Sequence, residues 1–340
     1  MMKKLSLQEL QSVATGAVRI VQEQEDVHFY RFTEEQQWLY WERDPEVGWI
    51  RTFATSGVKL RFRTNSEYLR IQTVVSAGSS RTLFLFDIFV DGNLVDTLGN
   101  DTEHTTAYDF PEVAYPLGTF EKQVFLGEGD KEVCVHFPWS VHAAIREMAV
   151  DDGAYVEPVK WKHKLLCYGD SISHGYDTLH PSRSFVQQLA RWLDAEELNK
   201  AIGGEVFFPG LLDTEENFDP DYILVAYGTN NWTFTSREVF ETDCWSFYRK
   251  VRDKYPEATI IALTPIWRKD MQDEMEFGDF SGVEEGIREA VKDLENIVLV
   301  SGFDLVPQDE KLFSDGLHPT DEGFAYYFEN FRRNVSSLEW

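Results

Sequence analysis

The hydrophobic pattern changes its period once along this chain, and that change limits the fold more than any other feature. From about residue 48 to 148 apolar and polar positions alternate: in GVKLRFRT, Val58, Leu60 and Phe62 are interleaved with Lys59, Arg61 and Arg63, the mark of a strand with one covered face. LFLFDIFVDGNLVDTL places Asp91-Gly92 between two strand-like runs, and KQVFLGEGDKEVCVHF does the same around Gly127-Glu128-Gly129-Asp130; both stretches predict hairpins. Closely spaced strands with turn residues between them predict an all-β sandwich or jelly roll. Beyond the Gly- and Pro-bearing joint DDGAYVEPVKW, the runs KLLCY, YILVAY, TIIALT and IVLVS lack alternation, as expected of strands covered on both faces. Helical spacing lies between them, in Phe185, Leu189 and Trp192, in Phe240, Cys244, Phe247 and Val251, and in Val283, Ile287, Ala290 and Leu294. Strands alternating with helices predict an α/β unit built on a parallel sheet. The expected division is a β-sandwich over residues 1–155 and an α/β domain over 160–340.

A chain of 340 residues is long enough for two such cores. Its formal net charge of -27, from 59 acidic against 32 basic side chains, repels phosphate backbones and anionic membrane surfaces, so neither nucleic acid nor membrane is expected as a partner. MMKKLSLQELQSV has lysines without an apolar segment behind them, and no apolar run approaches spanning length; a soluble, cytoplasmic protein is expected. Cys134, Cys167 and Cys244 are odd in number, far apart and without a Cys-x-x-Cys, which suits small buried hydrophobes in a reducing compartment. The state of self-association is left open.

In LLCYGDSISHGYD the apolar run ends at Tyr168 and Ser171 follows at once. In an open parallel sheet that places Ser171 over the carboxyl edge of a strand, where such folds carry their chemistry. The loops after the other strands open on the same edge and hold Gly203-Gly204, then Gly228-Thr229-Asn230, then Pro265-Ile266-Trp267, and last Asp315 and His318 in SDGLHPTDEGF. A serine hydroxyl becomes a nucleophile when a neutral imidazole takes its proton, and the imidazole needs a carboxylate on its other nitrogen. His318 and Asp315, three apart, supply both. The oxyanion that follows needs fixed donors, which the backbone N–H groups of Ser171 and Gly204 and the Asn230 amide can provide.

These blocks resemble the SGNH or GDSL-type serine hydrolases. Ser171 lies in GDSIS; NKAIGGE is similar to the family's NxxIxGD, with Glu205 in place of the usual Asp; GTNN is similar to GTND, with Asn231 in place of the Asp; and DGLHP carries Asp315 and His318. The match spans roughly residues 162–335, with the blocks in the family's order. It implies a flavodoxin-like parallel sheet with flanking helices, a Ser171-His318-Asp315 triad and an oxyanion hole of Ser171, Gly204 and Asn230. A β-domain ahead of such a module also resembles two-domain carbohydrate esterases, including family two, which remove acetyl groups from sugars; this likeness rests on domain order and aromatic content.

Other roles compete at several positions. Ser171 can cap a helix, and Thr320 can cap the one after His318. His174 and His180 also lie near Ser171 in sequence, but neither has an acidic neighbour placed as Asp315 is, so both are taken as loop residues that can touch substrate. Asp170 is expected to brace the nucleophile loop. Trp232 and Trp267 follow two of the strands and serve equally well as sugar-stacking platforms or as packing. No metal or cofactor is expected, since no His-x-x-x-His or clustered Asp pattern occurs. The expectation is a metal-independent serine esterase for short acyl esters, acetylated sugars or oligosaccharides first. A lysophospholipase or thioesterase on the same site is the rival, and a carbohydrate-binding protein with an incidental hydrolase module is the alternative of another class.

Overall fold

The structure, a computed structural model, describes residues 2–100 and 113–336. The expected domain limits at residues 1 and 340 therefore lie outside the described residues.

The period-two segment and the residues flanking it form, among the described residues, two antiparallel sheets of six strands each. One runs in the order Arg19–Glu23, Asp26–Tyr30, Val141–Asp151, Tyr68–Ala77 and Gly118–Phe125, with Met2–Lys4 also paired to Val141–Asp151. The other runs Glu157–Pro158, Lys59–Thr64, Lys131–His136, Leu85–Val90 and Asn93–Gly99, with Ala14–Thr15 on Lys59–Thr64. Leu60 and Phe62 of one sheet and Leu69, Ile71 and Ile145 of the other share a single apolar core, which makes the pair a sandwich. The Asp91-Gly92 turn is a true hairpin, pairing Val90 with Asn93; both turn residues sit at positive φ, 47° and 79°, as a two-residue turn that follows strand twist requires.

The second expected hairpin is corrected. Gly118–Phe125 pairs with Tyr68–Ala77, whereas Lys131–His136 pairs with Lys59–Thr64 and Leu85–Val90, so residues 127–130 carry the chain from one sheet to the other. Both flanking strands bury their apolar side chains, Val124 and Val133 among them, in the same core from opposite sides. The alternation of a hairpin and that of a crossover look the same in sequence.

The four continuous apolar runs become the parallel strands His163–Gly169, Tyr222–Ala226, Thr259–Leu263 and Ile297–Val300, and the shorter Ala195–Asn199, with two glutamates, joins them as a fifth at the edge. Numbered along the chain within this sheet, their order is 2-1-3-4-5, the flavodoxin-like order. Helices Arg237–Lys254 and Ser281–Val291 bury Phe240, Phe247, Val283 and Ile287 against one face; Phe185–Trp192 and Asp321–Asn334 bury Phe185, Leu189, Phe324 and Phe331 against the other. Burial on both faces explains why four of these strands read as unbroken apolar runs. The order reverses around the first strand, so the carboxyl end of that strand is the switch point at which such sheets hold their sites. Ser171 stands there.

The two units are joined by buried polar contacts. Lys59, expected on a solvent-facing side of its strand, is buried and pairs with the equally buried Glu197 at 3.0 Å, because that face of the sandwich packs on the α/β unit. Arg31 is fully buried and donates to the carbonyls of Ala54, Arg51, Asn199 and Ala201. Helix Glu34–Arg43, opened by a Thr33/Gln36 capping box, contributes Tyr40 to the core of the parallel-sheet unit, as does Phe32 just before it.

Candidate active site

Strand His163–Gly169 ends because Asp170 caps a single helical turn, Ser171–His174: its Oδ1 accepts from the Ile172 N–H at 3.0 Å. Asp170 braces the loop as expected, and burial pushes its carboxyl up to about 7. Ser171 opens the turn, and its Oγ lies 2.8 Å from His318 Nε2. On the other side of the ring, His318 Nδ1 is 2.7 Å from Asp315 Oδ2, while Asp315 Oδ1 accepts from the backbone N–H groups of Leu317 and His318. Burial alone would raise the Asp315 carboxyl; the imidazole and the two N–H groups outweigh it and hold it well below the ordinary range. A carboxylate charged throughout the neutral range fixes the proton on Nδ1 and leaves the Nε2 lone pair toward the hydroxyl. Thr320 does cap helix Asp321–Asn334, accepting from Gly323 N–H, so capping and site geometry coexist in this loop.

Hydrogen bonds tie together the segments that carry the oxyanion donors expected from sequence. The Ile202 N–H bonds to the Gly169 carbonyl at 3.0 Å, which lays the 202–205 turn against the start of the Ser171 loop. Gly204 has φ of 80°, a backbone conformation that favours glycine, and the Arg51 guanidinium lies over it, 2.9 Å from where a Cβ would stand. Asn230, in helix Thr229–Phe234, donates one amide hydrogen to the Glu205 carbonyl at 3.0 Å, and its amide carries a second. The substitutions noted in the blocks are structural. Glu205 is buried and pairs with Arg43 at 2.7 Å; Asn231 is buried and accepts from Phe207 N–H.

Three residues around the imidazole escaped the sequence. Asp177, fully buried and at φ of 66°, places Oδ2 3.7 Å from His318 Nδ1 and accepts from Ser314 Oγ at 2.5 Å. Arg81, from the sandwich, grips Asp177 at 2.9 and 3.3 Å and comes within 3.8 Å of Asp315. Tyr176 stacks on the His318 ring, centroids 5.4 Å apart. Asp177 sits six positions after Ser171, a spacing with no meaning of its own, and Arg81 is 96 positions from its partner. Asp177, Asp315 and His318 bring ligand atoms within 4.8 Å of one another. Arg81 already balances the two carboxylates, and His318 Nδ1, the ring nitrogen that faces them, is engaged by Asp315 at 2.7 Å, so this cluster is poorly suited to a cation.

Three expectations change. Trp232 is no platform: it is 1 % exposed, donates to the Gly278 carbonyl and packs on Phe280 under the Arg268 guanidinium, because helix Thr229–Phe234 turns its ring inward. His174 is fully buried, with Nε2 2.9 Å from the Trp139 carbonyl and its basicity depressed by burial, so it cannot reach substrate. His180 does have an acidic partner: Asp87 of the sandwich lies 2.7 Å from its Nδ1, as close as Asp315 lies to His318. That pair fastens the two units, and His180 has no bond to Ser171. Trp267 remains half-buried, against Phe313, and the neighbouring Lys269 N–H bonds to the Gly316 carbonyl beside Asp315.

Residues 167–326 match the model of the GDSL-like Lipase/Acylhydrolase family. A search of curated proteins gave no match. Among solved structures, the salicylyl-acyltransferase SsfX3 from a tetracycline biosynthetic pathway is similar over 96% of this chain and 94% of its own, at 21% identity and a TM-score of 0.78. A protein of Bacteroides ovatus described as a GDSL-like lipase is similar over 99% and 98%, at 18% identity and a TM-score of 0.75. The acetyl xylan esterase Est2A of the rumen bacterium Butyrivibrio proteoclasticus is similar over 100% and 99%, at 13% identity and a TM-score of 0.63. At these identities the likeness is one of fold, and it extends over both units.

Proposed function

With residues 167–326 forming a domain of the GDSL-like lipase/acylhydrolase family, we propose that the protein is a serine esterase that removes short acyl groups, acetyl first, from a carbohydrate. The observation that carries the chemistry is the unbroken line from Ser171 Oγ to His318 Nε2 at 2.8 Å and from His318 Nδ1 to Asp315 at 2.7 Å. Ser171 Oγ attacks the ester carbonyl as its proton passes to His318 Nε2. The carbonyl oxygen takes the negative charge and is held by the N–H groups of Ser171 and Gly204 and the second amide hydrogen of Asn230. The intermediate collapses, the C–O bond to the alcohol breaks, and His318 returns the proton to the leaving oxygen. Water then enters, gives its proton to His318, and releases the acid and the free serine.

The carbohydrate part rests on less: the fold shared with an acetyl xylan esterase, and Trp267 as the aromatic that stays accessible beside the Asp315 loop. Turnover should be measured on an aryl acetate, on acetylated xylo-oligosaccharides and on a lysophospholipid, with a phosphonylating serine probe alongside. Acetyl turnover with the probe mapped to Ser171 and no response to chelators is the expected result. A chain that takes the lysophospholipid alone would move the assignment to the rival acylhydrolase.

Two predictions arise here. Asn230→Ala should lower kcat by roughly 10²–10³ with little change in ground-state binding, the usual loss for one oxyanion donor; a rise in KM alone would remove Asn230 from that role. Trp267→Ala should reduce hydrolysis of acetylated oligosaccharides by about tenfold more than hydrolysis of the aryl acetate, since only the sugar has a C–H face to stack. Equal losses on both substrates would make Trp267 a packing residue.

A further inference from the structure

A cavity of about 270 Å³ opens beside Gly204 and is walled by Tyr40, Arg43, Arg51, Gly204, Glu205 and Phe234. Three of these come from the segment that precedes the second sheet's first long strand, so the amino-terminal region builds one side of the space next to the expected oxyanion donor.

The charges there are unevenly matched. Arg43 is taken by Glu205 at 2.7 Å. Asp44, on the same rim, accepts from the backbone N–H groups of Val47 and Gly48. Arg51 makes one recorded bond, from NH1 to the Gly203 carbonyl, and has no carboxylate within ion-pair distance among the described residues. Its guanidinium lies over Gly204 and near the Tyr176 ring. In a chain with 59 acidic side chains against 32 basic ones, a half-buried guanidinium with most of its N–H donors unused, at the lip of a cavity, is arranged for an acceptor that the protein does not supply.

Building on the esterase reading, we propose that this cavity is a subsite for a carboxylate carried by the substrate, with Arg51 as its binding residue. A monoanionic carboxylate matches the planar fork of a guanidinium. A dianionic phosphate would face Glu205 and Asp44 as well, with only one unpaired cation to hold it. The carboxylate belongs either to the alcohol half, as an acetylated uronic acid, or to the acyl half, as a half-ester of a dicarboxylic acid.

Kinetics separate these sources, and binding tests the subsite without them. The ratio of kcat/KM for an acetylated glucuronic acid over its methyl ester, and for an aryl hemisuccinate over the matching aryl butyrate, should exceed one by about 10- to 100-fold in one arm, the range of a charge-assisted bond. Arg51→Gln should bring that ratio to about one, and Arg51→Lys should restore part of it. Because each ratio is taken within one variant, damage to the Gly203–Gly204 turn cancels. Titration calorimetry of glucuronate and succinate against their methyl esters, on protein carrying Ser171→Ala, reads the same preference without turnover. Ratios near one in both arms, or a preference that survives Arg51→Gln, overturns the subsite. Failure to hydrolyse any neutral acetate would count against the esterase reading, while the calorimetric preference would still decide the subsite.

Discussion

Ser171→Ala is expected to lower turnover of an aryl acetate by about 10⁴–10⁶-fold, the loss seen when the nucleophile of such a set is removed, and to leave the melting curve nearly unchanged. The side chain bonds to His318 Nε2, and Ser171 belongs to neither apolar core of the α/β unit. Deleting one oxygen opens no packing defect. Purified, folded S171A protein that retains even a few per cent of activity would mean that the acyl group is never carried on this serine.

His318→Ala should be about as severe, because Ser171 then has no base, and His180→Ala is its control. His180 and Asp87 form the same kind of pair at the same 2.7 Å, but His180 has no bond to the nucleophile. H180A should therefore keep turnover within about threefold and lose stability instead. The hydrogen bond to Asp87 raises His180, and although burial pushes Asp87 up, the same bond holds it below its usual value. A raised histidine contributes fully below its unfolded pKa of about 6.5 and loses the contribution as pH rises through its folded value; a depressed carboxylate contributes above about 3.9 and loses it as pH falls through its own. The deficit in Tm should thus be larger near pH 5 than near pH 9. A catalytic defect in H180A with normal H318A activity would reassign the base.

What the sequence disclosed and what it withheld follow one physical line. The parallel sheet and its helices could be read because each element's burial is written into its own periodicity, and Ser171, Asp315 and His318 because strand ends and a three-residue loop spacing fix them locally. Gly204 and Asn230 came with the order of the blocks. Arg81 and Asp177, the partner of His180 and the burial of Lys59 all depend on which surface of the sandwich meets which surface of the α/β unit. No period or turn signal encodes that meeting. The crossover at Gly127–Asp130 was missed for a related reason: alternation says that a strand has a covered face, but not which sheet it joins.

The buried Lys59–Glu197 pair bears on how the two units can move. Full separation would return both charges to water at no great electrostatic cost, and correct seating pairs them at 3.0 Å. A small slip between these extremes would part the charges while keeping water out, leaving two bare ions in a medium of low polarity, the arrangement that costs several kcal/mol. The joint therefore has two states, seated or apart, with nothing tolerable in between. Gradual shear between the units is suppressed. Arg81 and Arg51, though carried by the amino-terminal half, are thus held in a fixed register against Asp177 and the Gly203 carbonyl.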